Sequence, residues 1–154
     1  MFSRYFAVIL FLVCMPSFGQ YLSYGEMMKL LNFKSDTSLI KSEMAGKGFY
    51  LNTEDSDTNG FRLVFESPLE SDDYFVGVFQ DLKNDMYTVI EYTKNHNRWE
   101  AYITAAKENG FIFSGMKNPA EGTTYFTYMK DEILMGLLVR RDSEGTKYQF
   151  SFTR

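Results

Sequence analysis

The sequence predicts an α+β fold, two tandem helix-plus-four-strand units forming one curved antiparallel sheet with the helices on one face. Three observations predict it. Residues 99–111 read as an amphipathic helix running into glycine, with Trp99, Tyr102, Ile103 and Ala106 at i, i+3, i+4, i+7 spacing and Gly110 placed for a left-handed cap. A fainter copy, with Leu39, Ile40 and Met44 as its stripe and Ser35 or Asp36 as its cap, ends at Gly48-Phe49 as the later one ends at Gly110-Phe111. Each copy is followed by four strand-like runs, and the third run of both holds an internal glycine, in Val76-Gly77-Val78 and Met135-Gly136-Leu137. Such a glycine suggests a bulge or bend shared by the two copies.

The chain opens with one basic side chain, Arg4, then runs apolar from Phe6 to Met15 until Pro16 breaks the run. With small residues Ser17 and Gly19 three and one positions before Gln20, residues 1–19 read as a secretory signal peptide. The apolar run is too short to span a bilayer as a stable helix, so the expected product is periplasmic or secreted and not an integral membrane protein. Cys14, the single cysteine, lies in that segment, and its removal takes disulfides, thiolate metal sites and a cysteine nucleophile with it. Residues 20–154 then form a single domain held by its core, with repeat units of about 35–94 and 95–154. Loss of Arg4 leaves 15 basic against 20 acidic residues, a net charge of −5, which argues against nucleic acid as a partner.

Along the chain, Met27, Leu30 and Leu31 share a helical face over residues 24–33, and a helix over 36–47 follows. Strands are expected at 49–53, 61–66, 74–80 and 86–93, with turn chemistry at Asn59-Gly60, Ser67-Pro68 and Asn84-Asp85. The second unit repeats the order. A helix over 97–109 leads to strands at 111–114, 124–130, 133–140 and 147–153. Alternation assigns faces: Tyr148, Phe150 and Phe152 inward, Phe61, Leu63 and Phe65 inward, and Thr88, Ile90 and Tyr92 inward against Tyr87, Val89 and Glu91 outward. Helices confined to one side leave the other side bare. There Tyr74, Tyr87, Val89, Tyr125 and Met129 are expected to project among Arg62, Glu66, Glu91, Lys147 and Gln149, aromatic anchors within a polar rim that suit a partner-binding surface.

In element order, in the repeated Gly-Phe and in the repeated strand glycine, residues 36–154 resemble the BLIP-like (beta-lactamase inhibitory protein-like) architecture. The resemblance implies a tandem pair of helix plus four-stranded units and a curved sheet. It carries no functional residue across, and the inhibitor's cysteines are absent.

Other stretches invite chemistry. Asp55, Asp57, Asn59 and Gly60, followed by Glu66, match the calcium-loop pattern of EF-hands, but two helices should flank such a loop and here two strands do. An extended 61–66 run would carry Glu66 roughly 20 Å from the turn, so only Asp55, Asp57 and Asn59 could serve Ca²⁺; otherwise the loop is a solvated hairpin tip. His96 is the single histidine, so a multi-histidine zinc site is impossible, and no nucleophile or acidic partner is identifiable around it. Nothing among the acids selects a carboxylate pair for a hydrolase. The acidic run Glu66, Glu70, Asp72 and Asp73 reads as a solvated loop or a docking surface for a basic partner, and Trp99 as core or as an anchor. The function expected from sequence is therefore an exported, non-enzymatic, inhibitor-like binding module without cofactor, its partner an unknown protein or envelope component. The alternatives are a Ca²⁺-dependent structural module and a carboxylate-dependent hydrolase.

Overall fold

A computed structural model describes residues 21–67 and 73–154; the expected signal segment and part of the acidic run lie outside the described residues. Helices α1 (Tyr24–Phe33) and α2 (Thr37–Gly46) precede strands β1 (Tyr50–Asp57), β2 (Gly60–Glu66), β3 (Phe75–Asp81) and β4 (Met86–Thr93). Helix α3 (His96–Glu108) then leads to β5 (Ile112–Ala120), β6 (Thr123–Lys130), β7 (Ile133–Asp142) and β8 (Gly145–Thr153). The chain is α+β. All eight strands form one open, curved antiparallel sheet in the order β1-β2-β3-β4-β8-β7-β6-β5. The second set of four is thus the first turned about an axis between β4 and β8, where Ile90 faces Ser151.

Local chemistry starts and stops the helices. Ser23 and Glu26 form a reciprocal capping box on α1, Asp36 Oδ1 accepts from Leu39 N at 3.0 Å on α2, and Asn95 Oδ1 accepts from Asn97 N at 3.0 Å on α3. Past α2 and α3 the chain turns out through Gly48 (φ 82°) and Gly110 (φ 76°), a backbone region that favours glycine. Phe49 N donates to Met44 O at 3.0 Å and Phe111 N to Ala106 O at 2.9 Å, so both helices close alike.

The likeness extends into the strands. Register slips after Leu51 in β1 and after Phe113 in β5, leaving Asn52 and Ser114 as bulged residues at matching places. The expected bulge at Gly77 and Gly136 does not occur; both stay in regular register, and rings lie over them instead. β1 and β5 are also longer than expected, since each runs on to its hairpin tip and β5 tolerates Pro119 as an edge strand can.

One alternate set of sheet residues meets all three helices. Met27, Leu30 and Leu31 of α1, Ile40 and Met44 of α2, and Tyr102 and Ala106 of α3 are buried with Leu63, Phe65, Val76, Val78, Phe150 and Phe152. The Tyr102 ring stacks on Phe150 with centroids 4.2 Å apart, and Trp99 meets Phe126 at 5.4 Å, which places Trp99 against the core. Faces expected for β2 and β8 hold, whereas those for β4 are reversed. Tyr87, Val89, Glu91 and Thr93 point to the helices, and Thr88, Ile90 and Tyr92 lie on the bare side.

Candidate binding face

The bare side is built from three cross-strand rows. The first sets Tyr125, Leu138, Gln149, Tyr92, Phe75 and Glu66 side by side from β6 to β2. The second, of smaller residues, runs Thr127, Gly136, Ser151, Ile90, Gly77 and Val64. The third holds Met129, Leu134, Thr153, Thr88, Phe79 and Arg62, with Thr88 Oγ1 and Thr153 Oγ1 sharing a hydrogen bond of 3.0 Å. Small residues between two bulky rows leave a trough. Its floor is partly filled, because the Phe79 ring lies over Gly77 and the Tyr125 ring over Gly136.

Curvature deepens one end. Tyr92 of β4 and Glu121 and Thr123 at the β5–β6 turn border the same hollow of about 510 Å³, with Leu138, Arg140 and Gln149 on its floor. Charge varies along the first row. Glu66 ends it at β2, while Arg140 and Lys147 pair across β7 and β8 two positions along from Leu138 and Gln149. Asp142 accepts from Lys147 Nζ at 3.1 Å and lies 3.5 Å from Arg140 Nε, and the Lys147 hydrogen bond holds its carboxyl below the usual range.

Of the residues the sequence assigned to this face, Tyr125 and Met129 are on it. Tyr74, Tyr87 and Val89 are not; they are 2%, 7% and 0% exposed and belong to the core on the helix side. Tyr87 Oη donates to Leu30 O at 3.1 Å and Tyr74 Oη accepts from Leu22 N at 2.9 Å. Sequence reasoning missed Tyr92, Phe75 and Leu138. The signal for Tyr92 was present in Arg98, seven residues after Glu91, since a carboxylate on one side of β4 and a guanidinium on the next helix can pair only if Glu91 faces inward.

That pair forms the one buried charged site among the described residues. Arg98 Nε donates to Glu91 Oε1 and its terminal nitrogen to Oε2, both at 2.7 Å, and Tyr102 Oη donates to Oε2 at 2.6 Å. Arg98 also donates to Leu22 O, which ties the start of the described chain to β4 and α3. Burial, then the Glu91 charge, pushes the Tyr102 and Tyr74 hydroxyls well above their usual range. Both Glu91 oxygens are engaged, so the cluster is a closed structural tie rather than an acid or base facing a cleft.

Asp55, Asp57 and Asn59 share the β1–β2 hairpin, where one Asp55 oxygen and both Asp57 oxygens already accept hydrogen bonds. Asp55 accepts from Arg62 Nε at 3.0 Å, and Asp57 accepts from Asn59 N at 2.7 Å and Nδ2 at 3.2 Å. Glu66 sits at the far end of β2 opposite Tyr50. Among the described residues no group of three or more His, Cys, Asp and Glu is placed to hold a metal ion. His96 Nδ1 shares a hydrogen bond of 2.8 Å with Tyr148 Oη at the start of α3. No described helix is long and apolar enough to cross a membrane. No protein-family model, curated protein or solved structure matches the chain.

Proposed function

We propose that this chain is an exported binding module without catalytic role, periplasmic or secreted, that holds a protein or envelope component against its bare sheet face. The observation that carries the reading is the first row, where Tyr125, Leu138, Tyr92 and Phe75 stand in register across β6 to β3 and none is needed to cover the helices. Amphipathic rings half-open to solvent within a polar rim are what protein recognition uses. The signal-like start and the likeness to an inhibitor architecture point the same way.

A photo-crosslinking side chain at Gln149 tests this, with the same probe at Leu39, exposed on α2, as control. In an envelope fraction the Gln149 probe should capture one defined protein, and Tyr92→Ser with Leu138→Ser should abolish the adduct. Equal labelling from Leu39, or an adduct indifferent to the two serines, would remove the bare face as the site.

A further inference from the structure

The two outer strands hold matching places in the two units but are protected very differently. Tyr50, Leu51 and Glu54 of β1 correspond to Ile112, Phe113 and Met116 of β5, counting from the shared Gly-Phe through the shared bulge. β1 carries Glu54, Asp55 and Asp57, and α2 lies against it with Lys41 ion-paired to Glu54. Charges and a covering helix are the usual defences of a sheet edge. β5 has neither: its single charge is Lys117, and α3 lies against β8 instead. Ile112, Phe113 and Met116 are 74%, 55% and 58% exposed, and Met129 beside Ile112 is 38% exposed.

We propose that β5 is an interface between two copies of this chain, joined edge to edge about a two-fold axis. The strand is self-complementary. Phe113 and Met116 both lie on the helix side, where they face Tyr128 and Phe126, while Ile112 and Lys117 both lie on the bare side, where they face Met129 and Tyr125. Antiparallel pairing about the Ser114–Gly115 bond sets Phe113 against Met116 of the second copy, twice, and Ile112 against Lys117, so every pair meets on the face it already occupies. The lysine stem can cover Ile112 while its ammonium stays in water. Ile112, Phe113, Met116 and Met129 together expose roughly 450 Å² per copy, so two copies have about 900 Å² to bring together, near the ~1,000 Å² at which specific interfaces begin. β1 cannot substitute, since self-pairing would align its carboxylates. The interface reaches the bare face only at its β5–β6 border, through Ile112, Lys117 and Met129, and leaves Leu138, Tyr92 and Phe75 of the first row free, so it stands or falls apart from the function proposed above.

Sedimentation equilibrium of the purified protein from low to high micromolar concentration tests it, beside Met116→Glu, which restores the acid found at the matching place in β1, and Ile112→Lys, which sets lysine against lysine. The expected result is a reversible monomer–dimer equilibrium, with the dimer at least tenfold weaker in each variant and the far-UV circular dichroism unchanged. Because the two side chains are mostly in solvent, folding should survive both changes, and a variant that misfolds leaves the other to decide. A protein monomeric throughout the range, or a dimer that neither variant weakens, overturns the proposal.

Discussion

Gly136 lies directly beneath the Tyr125 ring: a methyl group added at Gly136 would stand 2.3 Å from Tyr125 Oη and 2.6 Å from Ser151 Oγ. The matching glycine of β3 repeats the arrangement from within its own strand, where the same group at Gly77 would stand 2.4 Å from the Phe79 ring. Each glycine therefore makes room for an aromatic ring on the bare face, and the ring covers backbone that a side chain would otherwise shield.

Gly136→Ala should lower stability to urea by about 1–3 kcal/mol, the usual range for overpacking a close contact. Because part of that cost is displacement of the ring, adding Tyr125→Ala should recover some of it. A double-mutant cycle should give a coupling of at least about 0.5 kcal/mol. Strict additivity would mean that the ring does not occupy the space above Gly136.

Arg98→Met should cost about 3–5 kcal/mol, since it leaves the fully buried Glu91 carboxylate without its counter-charge, and Glu91→Gln should cost less, since 15% of the Arg98 side chain meets solvent. The combined change Glu91→Leu with Arg98→Met should cost far less than the two single changes together. Urea midpoints at neutral pH give the comparison directly, because a domain of this size is expected to unfold in one step.

Alkali should unfold the protein through its buried tyrosines. Burial holds the Tyr74, Tyr87 and Tyr102 hydroxyls above the ordinary 10.0. Below pH 10 these groups are neutral in both states and cost nothing. Above it the unfolded chain ionises while the native one does not, so stability falls as pH climbs past 10. Tyrosinate absorbance should show these three titrating in step with loss of the circular dichroism signal, whereas early, independent ionisation of all tyrosines would contradict their burial.

Millimolar Ca²⁺ should leave the unfolding temperature where Mg²⁺ or chelator leaves it, because Arg62 already offsets the Asp55 charge and Asn59 occupies both Asp57 oxygens. A tight site occupied a hundredfold over its dissociation constant would add about 2.7 kcal/mol. A Ca²⁺-specific rise that Asp57→Ala abolishes would place the ion in the β1–β2 hairpin after all.

How much of this was legible in the sequence differs strand by strand. β8 could be read because Tyr148, Phe150 and Phe152 alternate with Lys147, Gln149 and Ser151, so one face is plainly polar. β4 could not, because Thr88, Ile90 and Tyr92 are nearly as apolar as Tyr87, Val89 and Glu91, and the set containing a carboxylate is the buried one. Alternation assumes that a charge faces water, and Arg98 lifts that assumption. The same misreading moved Tyr87 and Val89 to the bare face and hid Tyr92 from it. Helix ends fell within a residue or two of expectation because Asp36, Asn95, Gly48 and Gly110 act locally, while the length of β1 and β5 depended on partners supplied by the next strand.

The order of strands also fixes when the molecule can exist. β8 follows the other seven described strands in the chain yet occupies the middle of the sheet, so Thr88 meets its partner 65 positions further along the chain. A ribosome releases β4 long before the strand that will cover its flank, and contacts this distant in sequence make for slow closure. Premature termination at Gly145 would therefore not trim the sheet at its border. It would remove the strand that joins β4 to β7 and leave two half-sheets with no strand pairing between them.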